Sequence, residues 1–283
     1  MNRREFSKLP PLTQIPRVID PSPDVFHRYF VCQGAPVVLV GSRVFEGGPR
    51  TLDGILADGG DKVEVSVRGG DYLTPSKRLR ERMSLGEYVE KVIRPCEAGA
   101  ATDGDGEPLP PYSGNTPLSK SEFAALGFRY PEPFEGKSFE FPRLWIGPKG
   151  SMTPLHYDSR DNLICQYVGT KDVLLFPPSQ IRWLYAKGLA PTWSGVTDPR
   201  HPDLQAYPLF ARARGVRVTV GPGELLYLPA RWSHFVVNVD TSVMVNFWPE
   251  HSLPQRAEIA AREFAERVTG RLKRARRRLG MSP

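Results

Sequence analysis

From Phe139 to Trp248 the chain is written in short apolar runs, each ended by glycine, proline or a polar break: PRLWIG, LHY, NLICQYV, DVLLFPP, VRVTV, ELLYLP, HFVVNV and SVMVNFW. Runs of this length are too short for helices and are rich in β-branched and aromatic residues, which marks them as strands. Eight short strands at regular spacing predict a double-sheet jelly roll or small barrel. The dipeptide GT at 169–170 and the tripeptide GPG at 221–223 are expected to join neighbouring strands as tight connections, and ELLYLPARWS is read as a hairpin.

The flanks differ in texture. Residues 23–32 and 51–58 read as helices, and PVVLVG (36–41) and KVEVSV (62–67) read as strands. Ser84 with Glu87, and Ser119 with Glu122, have capping-box spacing ahead of the helices LGEYVEKVI and SEFAAL, the second ending at Gly127. Residues 96–117 between those helices show no periodicity, and a loop of that length is usually a lid, a binding loop or a disordered insert. After Ser252 a final helix is expected to residue 279. Ala257, Ala261, Phe264, Val268, Leu272, Ala275 and Leu279 recur along it at spacings of four and three. The expected organisation of the 283 residues is a single domain, 1–283. It has an N-terminal flanking region (1–138), a barrel core (139–250) and a C-terminal helix (252–279).

The net charge of +7 suggests a polyanionic partner until it is located. Residues 271–278, RLKRARRR, hold six cations and no acid, so the other 275 residues carry only +1. No run of 18 apolar residues exists, and MNRREFSKLPPLTQIPRV lacks the apolar segment of a secretory leader. Three cysteines, none in a C-x-x-C pair, argue against a disulfide scaffold or a zinc ribbon. A cytoplasmic protein without membrane contact is the expectation.

Two H-x-D triplets occur, His156-Tyr157-Asp158 and His201-Pro202-Asp203. With five histidines and fourteen aspartates in the chain, one such triplet by itself is weak evidence. Prolines flank the second, which excludes a central strand there. The first lies in an extended apolar segment after the turn GPKGS, where residues i and i+2 point to one face. His156 and Asp158 then project together, and His234, opening the strand HFVVNV, is placed to complete the set. Two imidazoles and one carboxylate on one face of a metal make a facial triad, which suits Fe(II) and oxygen chemistry, whereas zinc prefers a tetrahedral site.

The residues 144–180, LWIGPKGSMTPLHYDSRDNLICQYVGTKDVLLFPPSQ, resemble the cupin-like branch of the JmjC oxygenases. VTVGPGELLYLPARWSHFVVNV and VMVNFWPE continue the resemblance, which extends to the asparaginyl hydroxylases of the kind that inhibits hypoxia-inducible factor. It covers 141–250 well. PRVID, APVVLVG and RMSLGEYVEKV carry it more loosely into the N-terminal third. It implies a double-stranded β-helix that binds Fe(II) and 2-oxoglutarate at His156, Asp158 and His234. Lys171 matches the family's lysine for the distal carboxylate of 2-oxoglutarate, and Thr153 its hydroxyl partner. Asn162 and Asn246 match amide positions near the metal, and Tyr112 a tyrosine that contacts 2-oxoglutarate. Cys165, Trp145, Trp232 and Trp248 are read as packing.

The reaction so implied is hydroxylation driven by O2 and by conversion of 2-oxoglutarate to succinate and CO2. Its substrate is a protein, a peptide or a small molecule. Residues 96–117 and 183–214 are the segments expected to contact it. Three alternatives stay open: a tRNA- or nucleic-acid-modifying oxygenase, an N-demethylase with the same site, and a non-oxidative metal-binding cupin. The resemblance also implies a homodimer through the C-terminal helix, against the simpler packing of that helix on its own barrel. Dimerisation driven by the apolar stripe is expected to persist at high salt, since only charge contacts are screened. Light scattering on Phe264→Glu and Leu272→Glu should report monomers; a wild type already monomeric at micromolar concentration removes the dimer.

Overall fold

The apolar runs do form strands, and nearly every connection between them passes from one sheet to the other. The computed structural model describes residues 13–47, 50–68, 80–99, 110–131, 139–187 and 192–250. The flank supplies β1 (Arg17–Ile19), β2 (Val37–Val40), β3 (Glu64–Arg68), β4 (Arg80–Ser84) and β5 (Tyr112–Pro117). The barrel region supplies β6 (Arg143–Gly147), β7 (Met152–Tyr157), β8 (Asn162–Val168), β9 (Lys171–Phe176) and β10 (Ala186–Lys187). Then follow β11 (Thr192–Ser194), β12 (Val216–Val220), β13 (Glu224–Leu228), β14 (Ser233–Asn238) and β15 (Ser242–Phe247). The larger sheet has the order β1-β2-β13-β8-β15-β6-β5-β3-β4, and the smaller β10-β11-β7-β14-β9-β12. This is the mainly β, two-sheet jelly roll expected from the runs.

The sheet order corrects one expectation. Gly169-Thr170 leads from β8 in the larger sheet to β9 in the smaller, and 221–223 leads from β12 back to β13. Both are corners between sheets rather than hairpins, and so is the turn from β13 to β14. Gln166 holds the first corner: its Nε2 donates to the carbonyls of Val168 and Gly169 and to Ser242 Oγ, at 2.6–2.8 Å. Among the eight strands formed by the apolar runs, only β9 and β12 follow one another within one sheet, and the chain between them, 177–215, is correspondingly long.

Why the strands read as continuous apolar runs follows from what covers them. Ile164, Leu226 and Met244 of the larger sheet face Val173, Val218 and Val236 of the smaller across the barrel. Their neighbours Leu163, Cys165, Leu225, Tyr227 and Phe247 point the other way, onto Phe26, Ile55, Leu85, Tyr88 and Phe123. Both faces are buried, as in sheets coated by helices. The helices doing so are α1 (Pro23–Phe26), α2 (Leu52–Gly59), α3 (Leu85–Tyr88) and, after α4 (Arg94–Glu97), which buries no residue, α5 (Lys120–Ala125). Both expected capping boxes are present, at Ser84/Glu87 and Ser119/Glu122. The outer face of the smaller sheet, with Leu155, Phe176 and Phe235, is covered by Leu184, Val196 and Phe210 of the 177–215 segment.

Residues 112–117, read as part of a loop, are instead strand β5, paired with β3 and β6 around a register shift. The sequence YSGNTP has little strand propensity, so tertiary pairing decides its state. Residues 100–109, the C-terminal helix and the basic run 271–278 lie outside the described residues. No helix among the described residues is long and apolar enough to cross a membrane.

The Gly169 corner gives a direct test. Its φ is +67°, and an added Cβ would stand 1.9 Å from the carbonyl oxygen of Thr241. Gly169→Ala should cost roughly 2–4 kcal/mol, combining left-handed backbone strain with overpacking. Urea unfolding measures it; an unshifted midpoint would mean that the corner is not tightly packed in solution.

Candidate metal centre

The pairing of β14 with β7 places His234 directly opposite His156, with ring centroids 4.1 Å apart. Both are buried. Each ring is fixed by its Nδ1, His156 to the carbonyl oxygen of Pro154 at 2.8 Å and His234 to that of Trp232 at 3.0 Å. A carbonyl can only accept, so Nδ1 carries the proton in both rings and Nε2 keeps a free lone pair. Burial, reinforced by the neighbouring His234, holds the His156 imidazole below its usual pKa, so it stays neutral at physiological pH. A neutral imidazole is the form that binds a metal.

Asp158 lies one residue beyond the end of β7, with its Oδ1 3.9 Å from His156 Nε2. The ligand atoms of His156, Asp158 and His234 all lie within 4.8 Å of one another. The Asp158 loop is tied to the β13–β14 corner. Tyr227 OH and the Ala230 N–H donate to Asp161, and the Arg231 N–H donates to the Asp158 carbonyl. Asn162 Nδ2 and Trp248 Nε1 both donate, at 3.4 Å, to Asp158 Oδ2, leaving Oδ1 turned toward the histidines. Two histidines oriented through Nδ1, one oriented carboxylate and restraints behind each fit a divalent metal with open cis positions.

The triplet at His201 has none of these features. Its ring is 80% exposed beside Asp198, and Asp203 accepts from the backbone N–H groups of Gln205 and Ala206.

Below the triad the barrel holds a second group. His234, Val236 and Asn238 share the inner face of β14 and pair with Leu175, Val173 and Lys171 of β9. Lys171 therefore stands four residues, about 13 Å, along the strand from the histidine level. It is fully buried, and its Nζ donates to Asn238 Oδ1. Asn238 Nδ2 in turn donates to the carbonyls of Gly147 and Pro148. Burial, only partly offset by Asp240, pushes the Lys171 ammonium down to about 7. Tyr112 reaches the same place from β5, its ring centroid 5.8 Å from Lys171 Nζ.

A cavity of ≈ 90 Å³ opens over the triad, several times the space of one water. Thr153, Asn162 and Asn246 all line it. Six of the eight residues named from the sequence thus gather at this cavity, while Lys171 and Tyr112 meet further along the barrel. Trp232 is core, as expected, donating to the Gly34 carbonyl. Trp145 and Trp248 are not merely packing: both line the cavity, and Trp145 Nε1 donates to Asn246 Oδ1 at 3.0 Å. Sequence reasoning missed Asn238, Asn115 and Trp193. Asn238 has the same strand parity as His234 and was legible on that ground. Asn115 needs β5 to be recognised, and Trp193, stacked on the His156 ring at 4.6 Å, needs the short β11–β7 pairing.

The chain matches the family model described as a cupin-like domain over residues 23–253. It is 37% identical over 123 residues to tRNA wybutosine-synthesizing protein 5 of Homo sapiens, covering 44% of this chain and 38% of that protein. It is 36% identical over 111 residues to Jumonji C domain-containing protein 5 of Drosophila melanogaster, covering 38% and 27% respectively. The HSPB1-associated protein 1 homolog of Danio rerio is 37% identical over 132 residues, 45% of this chain and 29% of its own. The aligned stretches span less than two fifths of these relatives' lengths. The similarity to an asparaginyl hydroxylase in particular has no counterpart among these three relatives; what the 23–253 match establishes is that this chain belongs to the cupin-like domain family.

Proposed function

We propose that this protein is an Fe(II)- and 2-oxoglutarate-dependent oxygenase acting as a hydroxylase. The observation that carries the reading is the buried, carbonyl-oriented His156/His234 pair beside Asp158, with a buried lysine further along the same strand face. Fe(II) held there supplies oxygen activation coupled to decarboxylation of 2-oxoglutarate to succinate and CO2. The chain's own residues bind and orient. His156, Asp158 and His234 hold the metal, and the Pro154 and Trp232 carbonyls fix the tautomers. Asn162 and Trp248 keep one carboxylate oxygen forward. Lys171, with Thr153 and Tyr112, receives the far carboxylate of 2-oxoglutarate as a charge-assisted pair. Asn246 and the walls of the cavity exclude water from the reacting end.

The substrate is a protein, a peptide or a small molecule entering over the cavity mouth. A nucleic-acid substrate is the second reading, supported by the name of the human tRNA wybutosine-synthesizing relative. A homodimer through the C-terminal helix remains part of the proposal.

Removing a ligand should abolish turnover and spare the fold. His156→Ala and His234→Ala are expected to lower succinate release at least ~100-fold, beyond the usual effect of disturbing an outer-shell partner. Their unfolding midpoints should stay near wild type. If His201→Ala is inactive while His156→Ala is not, the assignment of the centre is wrong.

For Lys171 the sign follows from its position near neutrality. Above pH 7 the empty site holds mostly neutral amine, so a carboxylate must bring a proton with it and binds more weakly as pH rises. Below pH 7 the ammonium is already formed and affinity levels off. Calorimetry at pH 8 in buffers of different ionisation enthalpy should show uptake approaching one proton per 2-oxoglutarate, and little at pH 6. Lys171→Ala should weaken binding about 100-fold, the scale for truncating one partner of a desolvated pair. Unchanged affinity would favour a non-oxidative metal cupin.

A further inference from the structure

The charge of the folded body is not evenly spread. The 177–215 insert holds five cations (Arg182, Lys187, Arg200, Arg212 and Arg214) against two acids, Asp198 and Asp203, for a net +3. With the six cations of 271–278, these two segments carry +9 of the protein's +7, and everything else is net −2. Within the insert the acids are engaged: Asp198 pairs with Arg200, and Asp203 accepts backbone N–H groups. Arg182, Arg212 and Arg214 are exposed, and no carboxylate among the described residues pairs with them.

These arginines are gathered rather than scattered. The guanidinium carbons of Arg182 and Arg212 stand 4.4 Å and 5.1 Å from the ring centroid of one indole, Trp183. Arg214 donates through Nη1 to the carbonyls of Ala211 and Ala213, while its backbone N–H reaches Gln180 and ties the two insert turns together. Two guanidiniums held on one ring repel each other, and cation–π attraction at an exposed site is only about 0.5–1 kcal/mol per contact. A phosphate relieves the repulsion and matches the guanidinium fork in a bidentate way.

We infer that the insert's outer face, with Arg182 and Arg212 on Trp183 and Arg214 on the adjoining turn, is a docking surface for single-stranded nucleic acid. Unpaired bases stack on guanidinium planes and aromatic rings, whereas a duplex hides them. An acidic peptide offers carboxylates but nothing planar to stack. The insert also has the right attachment. Leu184, Val196 and Phe210 anchor its inner side on the smaller sheet, and its β11 carries Trp193 onto His156. A strand lying on this face is thereby led to the mouth of the cavity. The inference does not rest on the oxygenase reading: protein that lacks turnover yet binds through these arginines keeps it.

The test uses the full chain and a fluorescein-labelled 12-nucleotide uridine RNA, followed by anisotropy between 50 and 200 mM salt. The Arg182→Gln/Arg212→Gln variant should bind about ten-fold more weakly, with its log–log salt slope smaller by about 1.4, or 0.7 per lost phosphate contact. Its 2-oxoglutarate turnover without a prime substrate should equal wild type. Equal binding of a 12-nucleotide thymidine DNA also supports the surface and extends it to single strands in general. Wild-type affinity and slope in the variant would overturn it, since binding would then belong to residues elsewhere such as 271–278. So would tighter binding of a duplex of the same length, or displacement of the RNA by oligoglutamate at equivalent charge.

Discussion

The centre depends on one strand register, the pairing of β14 with β7 that sets His234 opposite His156. A slip of one residue would turn every side chain on β14 to the other face and send His234 into the outer layer with Phe235. What prevents the slip is packing on both sides of the smaller sheet. Val236 belongs to the barrel interior with Val173 and Val218, whereas Phe235 is buried outside against Leu155 and Phe210. Exchanging the faces would bring Asn238 and His234 into an apolar layer and leave Lys171 without its amide. The register shift between His234 and Val236 then lets Thr153, rather than Pro154, oppose Val236. An odd step on β7 is thereby reconciled with an even step on β14.

That register also explains the placement of Lys171. A lysine at the centre of an apolar barrel is destabilising unless something accepts its protons, and burial alone depresses its pKa strongly. Asn238 Oδ1 accepts one hydrogen bond from it, and the carbonyls of Gly147 and Pro148 hold the Asn238 amide so that its oxygen must face Lys171. The pair is thus held with little freedom to reorganise, which is what the proposed 2-oxoglutarate contact calls for. Ser151 Oγ, buried close by in sequence to Gly147, has no hydrogen-bond partner and adds to the unsatisfied polarity at this end of the barrel.

The parts of this arrangement legible in the sequence are those set by local rules. Strand parity put His156 and Asp158 together, capping spacing located α3 and α5, and Gly/Pro punctuation marked the barrel strands. The same rules failed where a tertiary partner decides. YSGNTP becomes β5 because β3 and β6 present open edges, and a left-handed Asn115 at φ +62° accommodates the shift in register. Gly-Thr and Gly-Pro-Gly announce turns, but whether a turn closes a hairpin or crosses between sheets depends on where the next strand finds a partner. Trp248 was indistinguishable from a core residue until Asp158 was seen to accept its N–H.

The 177–215 insert shows how a jelly roll can take up a long segment without disturbing its centre. Every other barrel connection is a short corner, and lengthening one would strain both sheets. The β9–β12 link runs within a single sheet and can grow outward at small entropic cost. Growth there does two things at once. Leu184, Val196 and Phe210 coat an otherwise bare sheet face, and the two-residue β10 with the three-residue β11 fold back along β7 to His156. The apolar side of the insert is therefore committed to the fold, and its polar side is the part free to diverge. Net positive charge concentrated there, on a body otherwise slightly negative, puts the attraction that the proposed nucleic-acid docking needs on the segment that also reaches His156.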